Sequence, residues 1–322
     1  MTLRQLPPLD ARIPAWDCDR LVHRRCPICD SQDAHAAYAR PDGLHVRLCK
    51  HCRTFFVDPS PCDAQLTAFY RSYDEKHRRG PRMNTGDLVA SYADIDPFAD
   101  MRIRELSSLM KFENARVLDI GFGRAQFLHC LAILGATPFG LELDTQAIEL
   151  AGRLGIDTFT GDVVDFVTEH EYDLISLLDF VEHPLHPMDT LQRAAELLAP
   201  RGLLVLWTPN GDVADLEDDP IVFRVDLEHM QYFTPDTCLF AASELRLRIV
   251  HLETVGFPVT RGIDKPLTGD DSPLRFLERK MKHAPWFNAL DRLRCRLVRA
   301  FQDEAEDRTG VYNLFCIMQK VE

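Results

Sequence analysis

One stretch of the sequence decides the fold: Arg116-Val-Leu-Asp-Ile-Gly-Phe-Gly-Arg-Ala-Gln-Phe-Leu128. An apolar run leads to Asp119, two glycines follow at Gly121 and Gly123, and a segment typical of a helix comes next. Glycines let the backbone turn with positive φ and let a ligand approach the main chain, at which the first helical N–H groups point. The stretch therefore predicts a strand, a tight turn and a helix that together could bind a nucleotide, although many α/β proteins use such a turn only for packing.

A second acidic strand end supports the binding interpretation. Pro138-Phe-Gly-Leu-Glu-Leu-Asp144 is a short apolar run in the place where a βαβ unit carries its ribose-binding carboxylate, so Glu142 is the expected ribose ligand. A dinucleotide site would favour a small residue where Gln126 stands, which argues against NAD and FAD. An acidic site without that phosphate-binding pattern suits a cofactor with a cationic amino group and no phosphate, such as S-adenosylmethionine (SAM).

Strand-like and helix-like segments alternate through this region. Such alternation predicts an α/β fold with a doubly wound, mostly parallel sheet, whose ligand lies at the carboxyl ends of the strands. A helical insert at about 265–308 is expected to form a covering layer, a substrate lid or a dimer face. The predicted strands are Ala115–Ile120, Thr137–Glu142, Ile156–Thr160, Leu174–Leu178, Gly202–Trp207, Arg246–Val255 and Val311–Met318, and the predicted helices are Gln126–Leu134, Thr145–Leu154 and Thr190–Leu198.

The successive motifs resemble those of class I SAM-dependent methyltransferases. They are the D-x-G-x-G turn, the acidic end of the second strand, Gly161-Asp162-Val163, Leu177-Leu-Asp-Phe-Val-Glu-His183 and Leu198-Ala-Pro-Arg-Gly-Leu-Leu-Val-Leu-Trp-Thr-Pro-Asn210. The resemblance implies a Rossmann-like sheet of seven strands with an antiparallel final pair over residues 114–322, and SAM as cofactor.

The same resemblance implies a set of cofactor-binding residues. Asp119 would orient the glycine loop and the aminoacyl end of SAM, and Glu142 would accept hydrogen bonds from the ribose. Asp162 and the Val163 N–H would meet the adenine. The full expected set is Asp119, Gly121, Phe122, Gly123, Glu142, Leu143, Asp162, Val163 and Asp179. Each carboxylate could instead be a helix cap or a solvated loop residue.

Two cysteine pairs mark a separate N-terminal module. Cys26-Pro-Ile-Cys29 and Cys49-Lys-His-Cys52 have the spacing of a two-knuckle zinc ribbon, so residues 20–60 are expected to hold a structural Zn²⁺ on four thiolates. A redox C-x-x-C and a catalytic zinc are the alternatives. Arg53 stands where ribbons often have glycine, and the nearby histidines that could replace a cysteine ligand are His23, His45 and His51.

A helical arm, expected over residues 61–113, joins the module to the core. The order of ribbon, proline-terminated strand and aromatic-rich arm resembles methyltransferases that act on sugars, surface polysaccharides and natural products. In the deoxysugar C-methyltransferases among them, an arm tyrosine and two His-bearing segments face the substrate, which implies that role for Tyr70 or Tyr73 here. Both tyrosines could equally serve only to pack the arm on the core.

Two Glu-His pairs are candidates for acid-base chemistry: Glu182-His183 and Glu228-His229. Histidine suits proton removal near neutral pH. We expect His229 to be the general base, with His183 and Glu228 assisting it. The alternative is that both histidines are structural hydrogen bonders. Those C-methyltransferases continue into a further α/β domain that this sequence lacks, which favours O-methylation and leaves C-methylation as an alternative.

Charge and composition limit the choice of partners. The chain has 322 residues and a formal net charge of −13. Residues 1–82 carry 14 Lys and Arg against 10 Asp and Glu, and the remainder carries 23 against 40. Nucleic acid is a poor partner for so acidic a chain. A small-molecule acceptor (a sugar, nucleotide-sugar or natural-product intermediate), no membrane association and a cytoplasmic location are expected.

Two other functions remain open. An RNA-base methyltransferase is disfavoured by the charge and by Thr208-Pro-Asn-Gly211, which lacks the aromatic residue that amino-methylating enzymes of nucleobases stack on their target. A non-catalytic SAM-binding scaffold is disfavoured because the whole cofactor set is retained.

Overall fold

The computed structural model describes residues 3–9, 12–71, 85–216, 220–256 and 310–321. The expected helical insert at about 265–308 and the candidate Tyr73 lie outside these residues. The strands are β1 (Arg4–Gln5), β2 (Leu21–Val22), β3 (Ala34–Ala39), β4 (His45–Cys49), β5 (Phe55–Val57), β6 (Ser60–Pro61), β7 (Arg116–Ile120), β8 (Thr137–Glu142), β9 (Asp157–Thr160), β10 (Tyr172–Leu178), β11 (Leu198–Pro209), β12 (Gln231–Tyr232), β13 (Leu247–Val255) and β14 (Asn313–Lys320).

The α-helices fall between these strands much as the alternation predicts. The helix before β11 begins at Pro187, three residues earlier than predicted, because proline is well suited to the first helical turn. The helices are α1 (Asp63–Arg71), α2 (Thr85–Ser91), α3 (Met101–Leu109), α4 (Gln126–Ile133), α5 (Thr145–Arg153), α6 (Pro187–Leu197), α7 (Val213–Leu216) and α8 (Pro235–Glu244).

The larger sheet has seven strands in the order β13-β14-β11-β10-β7-β8-β9. Strands β7 to β11 pair in parallel, whereas β14 runs antiparallel to both of its neighbours. The predicted Rossmann-like sheet with an antiparallel final pair is therefore confirmed. The order changes direction at β7, so its carboxyl end is the topological switch point where such folds bind ligands.

Both faces of this sheet are buried. Along β11, Leu203 and Val205 pack in one hydrophobic cluster while Leu204 and Leu206 pack in another. Successive strand residues point to opposite faces, so a run of apolar residues needs helices on both sides. Helices α3, α4 and α5 contribute to one cluster, and α6 and α8 contribute to the other.

Three strands of the cysteine module, β3, β4 and β5, belong to a smaller sheet. Its order is β1-β3-β4-β5-β12, so it includes a strand from the far part of the chain. Strand β12 pairs antiparallel with β5, with Gln231 opposite Phe56 and Tyr232 opposite Phe55. The module is thus joined to the larger domain by backbone hydrogen bonds as well as by packing.

Among the described residues, no helix has the length and apolar character needed to cross a membrane.

Candidate active site

The glycine turn after β7 has the positive φ angles that its sequence predicts. Gly121 has φ +74° and Gly123 has φ +52°, conformations that disfavour residues with a Cβ. A Cβ on Gly121 would lie 2.3 Å from the ring of Phe180, which belongs to the loop after β10. The turn is therefore packed directly against the segment that leads to His183.

Glu142 reaches back from the end of β8 to this turn. Its Oε2 accepts from the Gly123 N–H at 3.0 Å, and its Oε1 accepts from the N–H groups of Leu143 and Asp144 at 2.7 and 3.1 Å. Both carboxylate oxygens thus hold this loop together, and the role of Glu142 as a ribose ligand stays a prediction. Leu143, the residue directly after β8, is 68% exposed.

Asp119 is buried at the end of β7 and accepts a hydrogen bond from the Ser176 hydroxyl at 2.7 Å. Burial raises the pKa of Asp119 to about 7, with a smaller contribution from the negative charge of Glu142. The positive charge of Arg102 opposes this rise. Its carboxyl group therefore changes protonation close to neutral pH.

Arg102 was not predicted as part of the site. Asp100 binds it in a bidentate ion pair, and its guanidinium lies 5.2 Å from the ring centroid of Trp207. It also opposes the burial that raises the pKa of Asp179. No motif in α3 could have identified this arginine, because only the tertiary packing brings it to the strand ends.

The other expected cofactor residues have distinct environments. Asp162 accepts from the Val164 N–H at 3.0 Å and caps a short helical turn, while the adjacent Val163 is buried. Phe122 is buried, and its ring occupies the space beside Gly140. Asp179 has φ +50° at the end of β10. The contact of Asp162 shows the capping role that was the alternative interpretation, and the ligand roles of all these residues stay predictions.

The two candidate histidines meet. The ring centroids of His183 and His229 lie 4.8 Å apart, and the Tyr70 hydroxyl is 2.8 Å from His183 Nδ1. Burial, together with a smaller effect of the neighbouring His229, lowers the pKa of His183 to about 3, although the charge of Glu228 opposes the shift. His183 is consequently neutral at physiological pH.

Glu182 lies beneath this pair and is fully buried. Its Oε2 accepts from the Thr208 hydroxyl at 2.8 Å, whereas its Oε1 has no hydrogen-bond partner among the described residues. Burial raises the pKa of Glu182 well above its ordinary value, and the charge of Asp179 adds to the effect. The sequence predicts a catalytic role for the neighbouring His183, but it does not indicate how deeply Glu182 is buried.

One carboxyl oxygen and two imidazole nitrogens of this group, from Glu182, His183 and His229, lie within 4.8 Å of one another. Such atoms can serve as ligands for a cation. Tyr70 and Thr208 already contact two of the three side chains, and burial favours neutral forms of Glu182 and His183. Because burial keeps the Glu182 carboxyl protonated, the group is poorly suited to holding a cation.

The four cysteines of the module converge as expected. Cys26 and Cys52 have their sulfurs 3.4 Å apart, Cys29 and Cys49 have theirs 3.5 Å apart, and all four lie within 4.8 Å of one another. Tetrahedral zinc with bonds of about 2.3 Å needs sulfurs about 3.8 Å apart, so the set fits the ion. Arg53 has φ +62°, which explains why glycine is common at that position. His23 and His51 contact Asp58 and Phe240 instead of joining the cluster.

The larger domain is similar to known methyltransferases. Residues 94–252 match the family Methyltransf_23, described as a methyltransferase domain. A ubiquinone biosynthesis O-methyltransferase of Paracidovorax citrulli is 25% identical over 133 residues, which are 38% of this chain and 56% of that protein. The enzyme of the same name from Bartonella tribocorum is 32% identical over 114 residues, which are 33% of this chain and 46% of that protein. The chain thus spans about half the length of these curated relatives.

Matches among solved structures are more distant in sequence. A SAM-dependent methyltransferase of Archaeoglobus fulgidus is 18% identical, with a TM-score of 0.46 over 79% of this chain and 99% of that chain. An amino pentose methyltransferase of Micromonospora echinaspora involved in calicheamicin biosynthesis is 22% identical, with a TM-score of 0.32 over 40% of this chain and 58% of that chain.

Proposed function

We propose that this chain is a class I SAM-dependent methyltransferase, which transfers the methyl group of SAM to a hydroxyl of a small polar acceptor, a sugar or natural-product intermediate; the match of residues 94–252 to a methyltransferase domain supports this. The observation that carries the proposal is the meeting of His183 and His229 beside the loop that packs on the glycine turn. A histidine that accepts a proton here would lie next to the expected site of the methyl donor.

In the proposed reaction His229 takes the proton of the acceptor hydroxyl. The acceptor oxygen forms a bond to the methyl carbon while the bond from that carbon to the SAM sulfur breaks, which leaves S-adenosylhomocysteine, the methyl ether and a protonated imidazole. His183, held by Tyr70, would orient the acceptor, and Glu228 would stabilise positive charge on the two rings. Methyl transfer depends mainly on alignment, to which a base adds about 10²–10⁴-fold.

The cofactor assignments follow the strand ends. Glu142 would bind the ribose, Asp162 and Val163 the adenine, and Asp119 the aminoacyl end. SAM supplies an electrophilic methyl group on a sulfonium, so the negative edge formed by these carboxylates suits its positive charge. The four-cysteine cluster would bind structural Zn²⁺ and take no part in the chemistry.

The test is a transfer assay with the full chain and SAM carrying a ¹³C-labelled methyl group. Nucleotide-linked sugars and catechols serve as probe acceptors, and labelled product and S-adenosylhomocysteine are measured together. We expect the label on oxygen, a loss of about 10²–10⁴ in kcat for His229→Ala with nearly unchanged SAM affinity, and a milder loss for His183→Ala.

His170→Ala is the matched control, because His170 is exposed on the same domain. Activity of the parent enzyme should rise with pH through an ionisation that His229→Ala lacks. A product with the labelled methyl group on carbon would show C-methylation and contradict the proposed O-methylation. Full turnover of His229→Ala with an unaltered pH profile would remove His229 from the mechanism.

A further inference from the structure

Arg40 of the cysteine module is completely buried and points into the segment that carries His229. Its Nη1 donates to the His229 carbonyl at 2.6 Å and to the Tyr232 hydroxyl at 3.1 Å, and its Nη2 donates to the Leu227 carbonyl. We propose that Arg40 is a positioning residue, which holds His229 in place from the module. This inference rests on the proposed role of His229.

A buried guanidinium is costly unless every donor is paired, and this one is. Asp42, whose side chain is also fully buried, accepts from Arg40 Nε at 3.1 Å and from its Nη2. Asp42 is itself fixed by the indole N–H of Trp16 at 2.9 Å. The Arg40 guanidinium is therefore fixed on the module side by Asp42. Two of its other acceptors are the main-chain carbonyls on either side of Glu228.

The backbone just after His229 is also bound to the module. Val57 N–H donates to the Met230 carbonyl at 2.9 Å, and β12 then continues the pairing with β5. A two-residue strand contributes little pairing of its own. The position of His229 thus depends on contacts that the module supplies.

A second arginine of the module acts on the segment of His183. Arg24 Nη2 donates to the Leu185 carbonyl at 2.9 Å and to Gln231 Oε1 at 3.3 Å. Gln231 Nε2 in turn donates to the carbonyls of Val181 and Pro184 at 2.6 and 2.7 Å. The two histidine segments are therefore tied to each other and to the module through one network.

Arg47 offers a matched comparison. It too is an arginine of the module paired with an aspartate, because its Nη1 lies 2.8 Å from Asp58 Oδ2. Its Nη2 donates to the Ala34 carbonyl at 2.6 Å, which also belongs to the module. Loss of Arg47 removes an ion pair from the same small domain without removing a bond to the His229 segment.

The experiment compares Arg40→Lys with Arg47→Lys in the metal-loaded full chain. Lysine keeps the charge but not the fork that binds two carbonyls and a carboxylate together. For Arg40→Lys we expect the ¹³C-histidine NMR signal of His229 and its titration midpoint to shift. Formation of S-adenosylhomocysteine with the probe sugars should fall by about 10- to 100-fold in kcat, since small misplacements of a reacting group have effects of this size. SAM affinity by calorimetry should change less than twofold. Arg47→Lys should leave the NMR signal and titration midpoint of His229, kcat and SAM affinity unchanged.

A milder variant, Trp16→Phe, covers the case in which Arg40→Lys does not fold. It leaves the buried ion pair intact, removes only the indole N–H that fixes Asp42, and should give a smaller shift of the same kind. An unshifted His229 signal and full kcat in a folded Arg40→Lys protein would overturn the proposal, as would an equal loss in Arg47→Lys. The NMR readout needs no acceptor, so a shifted His229 signal combined with a fully active His229→Ala enzyme would refute the base and retain the positioning role.

Discussion

At the scale of single residues, burial controls the protonation of the groups that line the switch point. Asp119, with its pKa near 7, is partly protonated at neutral pH before SAM binds. The cationic amino group of SAM favours the ionised carboxylate, so binding should release a proton from Asp119. Higher pH ionises the group in advance, and SAM affinity should therefore rise as pH increases through about 7.

Calorimetry of SAM binding at pH 6.5, in two buffers of different ionisation enthalpy, measures this proton release directly. Asp119→Asn should bind SAM more weakly and without proton release, because it has no acid to ionise. A parent protein whose binding enthalpy is the same in both buffers would contradict the assignment of Asp119 to the aminoacyl end.

Glu142 should contribute directly to the affinity for both SAM and S-adenosylhomocysteine. Loss of a charge-assisted hydrogen bond to the ribose in Glu142→Ala should weaken both by about 1.5–3 kcal/mol. Glu149→Ala is the control, since Glu149 forms only an exposed pair with Arg153 on α5. Because Glu142 also holds the glycine turn, Glu142→Gln should retain part of the affinity. Unchanged SAM affinity in Glu142→Ala, or tight NAD binding by the parent, would refute the assignment.

At the scale of elements, the glycine turn shows how local sequence and tertiary packing act together. Gly121→Ala would place a Cβ 2.3 Å from the Phe180 ring at a positive φ, so we expect lower stability and weaker SAM binding. Gly152→Ala in α5 is the opposite case, because a Cβ there would meet no heavy atom within 4 Å beyond its own helix, and helices favour alanine. It should raise the free energy of unfolding by about 0.5–1 kcal/mol. Denaturant titration of both variants gives the comparison, and equal effects on stability would contradict the packing argument.

Strand periodicity predicted the larger sheet because both faces of β7, β10 and β11 are buried and their residues form long apolar runs. It could not predict β12, since two residues carry no periodicity and their partner lies about 175 residues earlier in the chain. The resemblance to sugar C-methyltransferases likewise implied that His183 and His229 act at one site. Burial of Arg40 and Glu182 could not be predicted, because charged residues normally lie at the surface and the exceptions depend on tertiary partners.

At the scale of the whole molecule, the cysteine cluster should contribute to the stability of more than its own module. We expect about one equivalent of zinc per chain after dialysis, since structural zinc supplies much of the folding energy of small modules. Cys49→Ser should lower both the zinc content and the melting temperature, whereas Cys18→Ser, at an exposed cysteine outside the cluster, should change neither. Metal-free protein with unchanged melting would refute a structural zinc.

The pairing of β12 with β5 has a consequence for how the chain can be divided. The family match begins at residue 94, after the module, yet residues 231–232 within that match complete the module's sheet. A fragment cut at the linear boundary would leave β12 without its neighbour and uncover the buried rings of Tyr232 and Phe233. An open strand edge beside exposed aromatic rings promotes association between copies. A fragment that keeps its native structure must therefore include both β5 and β12. An exchange of the cysteine module between related proteins would likewise have to include the segment of His229.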